Sequence, residues 1–135
     1  MKDKEDAVIF TTTSGFSKNK ITLYENTLVN HVVGDHSGRE FLIDEYNIAI
    51  VKNIVETPDI VTEDAEHIDR LNYYSIVVFS GTNTTTDVKI VTEEVVGGKK
   101  QNVGEIVTIV PVNHGKTKIG ESNGRRVLYD QHSIK

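Results

Sequence analysis

Leu71-Asn72-Tyr73-Tyr74-Ser75-Ile76-Val77-Val78-Phe79 is an almost unbroken apolar and aromatic run that stops at Ser80-Gly81. A run of this length, rich in β-branched residues and closed by turn formers, predicts a buried strand inside a sheet. Three further strand candidates follow it: Asp87 to Val96, Glu105 to Val112, and Arg125 to Ser133. They are separated by Gly81-Thr82-Asn83-Thr84, by Gly97-Gly98-Lys99-Lys100, and by the longer stretch Asn113 to Gly124. That spacing predicts a four-stranded antiparallel meander. Within Val88 to Glu93, Lys89 and Glu93 share one face, so one side of the sheet is expected to meet helices and the other to stay partly wet.

Upstream of the central run the pattern is mixed. Ala7 to Thr13 and Lys20 to Tyr24 are β-branched and flank the polar cluster Ser14 to Asn19, which predicts a short hairpin. From Glu25 the apolar spacing becomes helical, through Leu28, Val29, Val32 and Val33, and Gly34 stands where a left-handed C-terminal cap is expected. Ser37 and Glu40 match a capping box, so a second helix is expected to begin there. Its apolar stripe runs from Phe41 to Val55, and Pro58 disfavours helix at Thr57, which ends the element near Glu56. The fold expected is therefore α+β, with N-terminal helices packed on a four-stranded antiparallel sheet. It forms a single domain over residues 1–135, in which 1–20 is an N-terminal strand or extension and 21–135 the core.

Composition excludes several classes of function. No cysteine is present, so disulfides, thiolate catalysis and cysteine-bound zinc are impossible. No apolar run is long enough for a membrane-spanning helix, and the charged opening Met1 to Asp6 does not form a secretory signal. A cytoplasmic protein without a membrane partner is expected. The net charge of −5 is unfavourable for loose nucleic-acid binding, which depends on neutralising phosphates. Acidic residues concentrate between Glu56 and Asp69, whereas Lys99, Lys100, Lys116, Lys118, Arg125 and Arg126 make the later part locally basic.

Candidate chemistry centres on Asn30-His31-Val32-Val33-Gly34-Asp35-His36-Ser37-Gly38-Arg39-Glu40. On one continuous helix His31 and His36 would lie about 140° apart and could not converge. If the helix stops at Gly34, His36 can fold back toward His31, giving a base and an acid with Asp35 as orienting carboxylate. The plainer alternative makes His31 a surface residue and His36 a loop residue. Two histidines at this spacing do not make a zinc site, although Asp35 or His132 could add a ligand, so no metal is expected. Gly97-Gly98-Lys99-Lys100 lacks the spacing of a nucleotide P-loop, and no GxSxG elbow or dinucleotide fingerprint appears. No cofactor is expected. On the last strand, Tyr129 and Ser133 alternate with Arg126 and His132, so the two sets face opposite ways.

This order of elements resembles the phage-associated members of the Barnase, EndoU, colicin and RelE-like nuclease superfamily. The residues carrying the resemblance are His31 and His36 near the first helix, the helix leading into Glu56-Thr57-Pro58-Asp59-Ile60-Val61, and a final strand bearing Tyr129, over a span from about Ile21 to the C-terminus. The resemblance implies a metal-independent ribonuclease, often a toxin module, with RNA as substrate and an immunity or antitoxin protein as a further partner. It implies catalysis by transesterification from the ribose 2′-hydroxyl, with His31 as base, His36 as acid, and Tyr129 and His132 as alternates. Arg39, Lys99, Lys100, Lys116, Lys118, Arg125 and Arg126 become candidate contacts to the RNA backbone. The chain departs from a strongly basic ribonuclease in its acidic balance. A second expectation, from another class, is a non-catalytic interaction domain whose acidic first half binds a basic partner. An ADP-ribosyl transfer toxin would need an Arg, Ser-Thr-Ser and Glu-x-Glu set, to which Glu93-Glu94 is only a poor approach.

Overall fold

The computed structural model describes residues 6–34, 38–64, 66–82, 84–94, 103–113 and 127–130, with Asn113 and 127–130 described in their backbone alone. The strands are β1 (Val8–Thr13), β2 (Lys20–Tyr24), β3 (Ile60–Glu63), β4 (Arg70–Val78), β5 (Thr85–Glu94), β6 (Val103–Asn113) and β7 (Val127–Asp130). They form one sheet of seven in the order β1-β2-β6-β5-β4-β3-β7. Every neighbouring pair is antiparallel except β2 and β6, which run parallel through Lys20↔Val103, Ile21↔Gly104 and Thr22↔Glu105.

The expected architecture, helices on a four-stranded antiparallel sheet, is thereby corrected to a seven-stranded mixed sheet. The meander β4-β5-β6 is present, and the hairpin β1-β2 forms where expected. The hairpin is no appendage: it extends the meander through the parallel pair. Ile60–Glu63, too short to stand out from the acidic connector, pairs with β4 and continues the sheet. The last strand is not a fourth meander strand beside β6 but pairs with β3 at the opposite edge, Val61 facing Tyr129.

The helical layer also differs from expectation. Thr27–Val33 is a π-helix, closed by the Gly34 N–H donating to the Val29 carbonyl at 2.9 Å. Gly34 lies in the right-handed region, φ −65°, and not in the left-handed cap that its position suggested. Glycine is required there for space, since a Cβ would stand 2.8 Å from the Asn30 carbonyl oxygen and 2.9 Å from that of Val29. The single helix expected from Ser37 to Glu56 is broken at Asp44. Glu40–Ile43 is a 3-10 turn, Asp44 is extended, and α1 spans Glu45–Glu56. Asp44 caps α1, its carboxylate accepting from the Tyr46 N–H at 2.8 Å. Three consecutive apolar residues, Phe41, Leu42 and Ile43, cannot share one helix face. Here Leu42 is fully buried, the Phe41 ring meets Phe79 at 5.3 Å, and Ile43 is exposed.

One face of the sheet carries the core. Ile21, Leu23, Leu71, Tyr73, Val88, Ile90, Ile106 and Ile109 pack there against Leu28 and Val32 of the π-helix, Leu42, and Val51, Ile54 and Val55 of α1. Buried Asn47 ties α1 to the turn after β4, donating to the carbonyls of Phe41 and Ser80 at 2.9 and 3.0 Å and accepting from the Ser80 N–H at 2.8 Å. Alternation places Asn72, Tyr74, Val91, Glu93 and Glu105 on the opposite face.

Candidate functional site

The site grows from register on that opposite face. Arg70 on β4 pairs with Glu93 on β5, and Glu93 pairs with Glu105 on β6, so three neighbouring strands present Arg70, Glu93 and Glu105 in one transverse row. Where the short β2 stops, the chain turns into the π-helix, which packs beside β6. This brings His31 to the same cleft. Asn26, Thr27, Asn30, His31, Arg70, Glu93 and Glu105 all line it, and its volume of about 470 Å³ lies within the range of small-ligand sites. The exposed His31 imidazole thus shares a cavity with two carboxylates and one guanidinium.

Opposed like charges on a sheet face are unfavourable, by roughly the 0.2–1 kcal/mol that measures such cross-strand pairs. Glu93 and Glu105 are such a pair. Arg70 offsets part of that repulsion, its Nε lying 3.5 Å from Glu93 Oε2. Because Glu93 is exposed, the ion pair itself contributes little to stability.

A second groove of about 530 Å³ adjoins the cleft, sharing Glu93 and Glu105 and adding Thr22, Tyr24, Asp69 and Val103. Its floor reaches Glu94, a carboxylate that is 2% exposed. Glu94 Oε1 accepts from Ser17 Oγ at 2.6 Å and Asn19 Nδ2 at 2.9 Å, and Oε2 accepts from Tyr73 Oη at 2.7 Å and from Thr92 Oγ1. Tyr73 Oη also lies 2.6 Å from Ser14 Oγ. Burial, with the nearby Glu94 charge second, pushes the Tyr73 phenol far above its ordinary range. Four hydrogen-bond donors and no cation surround the Glu94 carboxylate in these contacts, so its function is to lock the β1–β2 turn onto β4 and β5.

Of the residues singled out from sequence, His31 reaches the cleft. Arg39 does not. Its Nη1 donates to the Ile109 carbonyl at 3.1 Å, and burial lowers its pKa. It fastens the segment before α1 to β6. Tyr129 sits on edge strand β7, separated from β4 by β3. His36, His132, Lys99, Lys100, Lys116, Lys118, Arg125 and Arg126 lie outside the described residues, as do Asp35, Ser37 and Ser133. Sequence reasoning passed over Arg70, Glu93 and Glu105. The available signal was register: once β4, β5 and β6 are drawn as a meander, these polar residues fall near matching strand ends. Among the described residues, no group of three or more metal-ligating side chains is assembled, and no helix is long and apolar enough to cross a membrane.

The chain matches no protein-family model, no curated protein and no solved structure.

Proposed function

We propose that the cleft between the π-helix and the open sheet face is the active site of a metal-independent endoribonuclease. The observation that carries this reading is the meeting of His31 with Arg70, Glu93 and Glu105 in one cavity. Cleavage by transesterification needs a base for the ribose 2′-hydroxyl, an acid for the leaving oxygen, and positive charge for the phosphorane. Glu105 serves as base, a carboxylate that lines the cleft together with His31. It takes the 2′-hydroxyl proton, the 2′-oxygen bonds to phosphorus, and the bond from phosphorus to the 5′-oxygen breaks. His31, as imidazolium, gives its proton to the departing 5′-oxygen; imidazole is the side chain best suited to that transfer near neutral pH. The products are a 2′,3′-cyclic phosphate and a 5′-hydroxyl. Arg70 faces the phosphate oxygens. In this reading His31 is the acid, and the base's part first expected of it passes to Glu105.

The test is an RNA oligonucleotide and its 2′-deoxy-substituted twin, incubated with the protein in EDTA. Cutting of the first and survival of the second supports the reading, because DNA lacks the attacking hydroxyl. Equal cutting of both, or of neither, overturns it.

One observation favours a second reading. Among the described residues that line the two grooves, Asp69, Glu93, Glu94 and Glu105 outnumber Arg70, a field that attracts cations. In that case the domain is non-catalytic and holds a Lys- or Arg-rich segment of a partner. Salt-sensitive binding of a polylysine peptide, weakened in Glu93→Gln and Glu105→Gln, together with absent RNA cleavage, would select it.

A further inference from the structure

Among the described residues β1 is a terminal strand of the sheet, and one side of its backbone has no strand neighbour there. Proteins usually protect such an edge with lysine, proline, an inward charge or a bulge. Val8-Ile9-Phe10-Thr11-Thr12-Thr13 contains no charge and no proline, and five of its six residues are β-branched. A bulge lies between Val8 and Phe10, beyond which Phe10 to Thr13 pair regularly with Leu23 to Lys20. Val8, Thr11 and Thr13 are exposed.

The hairpin is also electrically polar along its length. Asp6 and Glu25 stand at its open end, where the Glu25 N–H bonds the Ala7 carbonyl at 2.8 Å. Lys18 and Lys20 stand at its turn, both exposed. When two such strands pair antiparallel about a two-fold axis, the open end of each lies beside the turn of the other. Acid then meets lysine twice, whereas a parallel pairing would set like against like.

We propose that two copies of this chain associate edge to edge through β1, antiparallel, to make one continuous sheet. The contact is isologous, as a two-fold axis requires. It is also small, since four regular residues per strand bury far less than a standard interface, so the dimer is weak and in the micromolar range or above. It leaves the His31 cleft untouched, and its success or failure is independent of any nuclease activity.

Sedimentation equilibrium of the wild-type chain across a concentration series tests it, together with Lys18→Glu and Asp6→Lys. The wild type is expected to shift from monomer to dimer as concentration rises. Each variant alone turns two attractive contacts into two repulsive ones and is expected to associate about 10-fold more weakly. An equimolar mixture of the two variants restores opposite charges at both contacts and is expected to recover a dimer containing one of each. A wild type that is monomeric up to ~1 mM, or variants that associate as the wild type does, would overturn the proposal. So would a mixture that remains monomeric.

Discussion

Replacing Glu94 by alanine removes the acceptor for four donors and is the perturbation whose magnitude the structure defines best. Ser17 is only partly buried and can turn to water. Tyr73 retains Ser14 Oγ at 2.6 Å. That leaves Thr92 and Asn19, 0% and 5% exposed, with polar groups that have lost their partner. A buried group left unsatisfied costs about 1–3 kcal/mol, so the two together cost about 4 kcal/mol. Loss of the Glu94 methylenes beneath the second groove adds to this. For a chain of this length about 4 kcal/mol corresponds to a fall in Tm of roughly 12–20 °C. Glu94→Gln keeps the shape and one carbonyl oxygen, while its amide must donate to hydroxyls that reorient. It forfeits mainly the charge assistance of the bonds, a loss of about 1–2 kcal/mol. Differential scanning calorimetry and urea titration should therefore rank the wild type above Glu94→Gln, and that above Glu94→Ala. A Glu94→Ala protein melting within about 3 °C of the wild type would refute the claim that this carboxylate locks the hairpin to the sheet.

Three further outcomes are expected. The folded-state pKa of Tyr73 is raised above its unfolded value, so its contribution to stability is complete below about pH 10, the ordinary tyrosine range, and is lost as pH rises beyond it. Urea midpoints measured from pH 8 upward should fall more steeply for the wild type than for Tyr73→Phe, which has no phenol to ionise. Gly15→Ala would place a Cβ 1.9 Å from the Glu56 carbonyl oxygen at the end of α1. Because the obstacle is backbone, a loss of more than about 3 kcal/mol is expected in chemical denaturation. Arg39→Ala should lower stability by about 1–3 kcal/mol through the lost bond to the Ile109 carbonyl. Because Arg39 does not line the cleft, the variant should leave the turnover of any RNA substrate unchanged once folded.

The strands were legible where pattern and length agreed. Leu71 to Phe79 is long and apolar and could be little else, and Pro58 marks the end of α1 without ambiguity. What escaped was decided by tertiary pairing. Ile60 to Glu63 has only four residues, and its strand character depends on β4 being there to receive it. The parallel joining of β2 to β6 leaves no local trace, since both partners read as ordinary strands. Asp44 resembles any polar residue on a helix face, yet its side chain prefers to cap the backbone of Tyr46, and that divides the expected long helix in two. The site was legible in one of its four members. His31 attracted notice by residue type, whereas Arg70, Glu93 and Glu105 are common surface residues that acquire meaning only when register sets them side by side.

Cleavage of a mixed-sequence RNA in EDTA by the wild type, His31→Ala and Glu105→Gln, with products resolved by mass, tests the cleft most directly. A wild-type product ending in 2′,3′-cyclic phosphate is expected, with its rate falling about 10²–10⁴-fold in each variant while their melting temperatures hold. Failure of the wild type to cut, or cutting that persists undiminished without the imidazole and the carboxylate, would contradict the assignment.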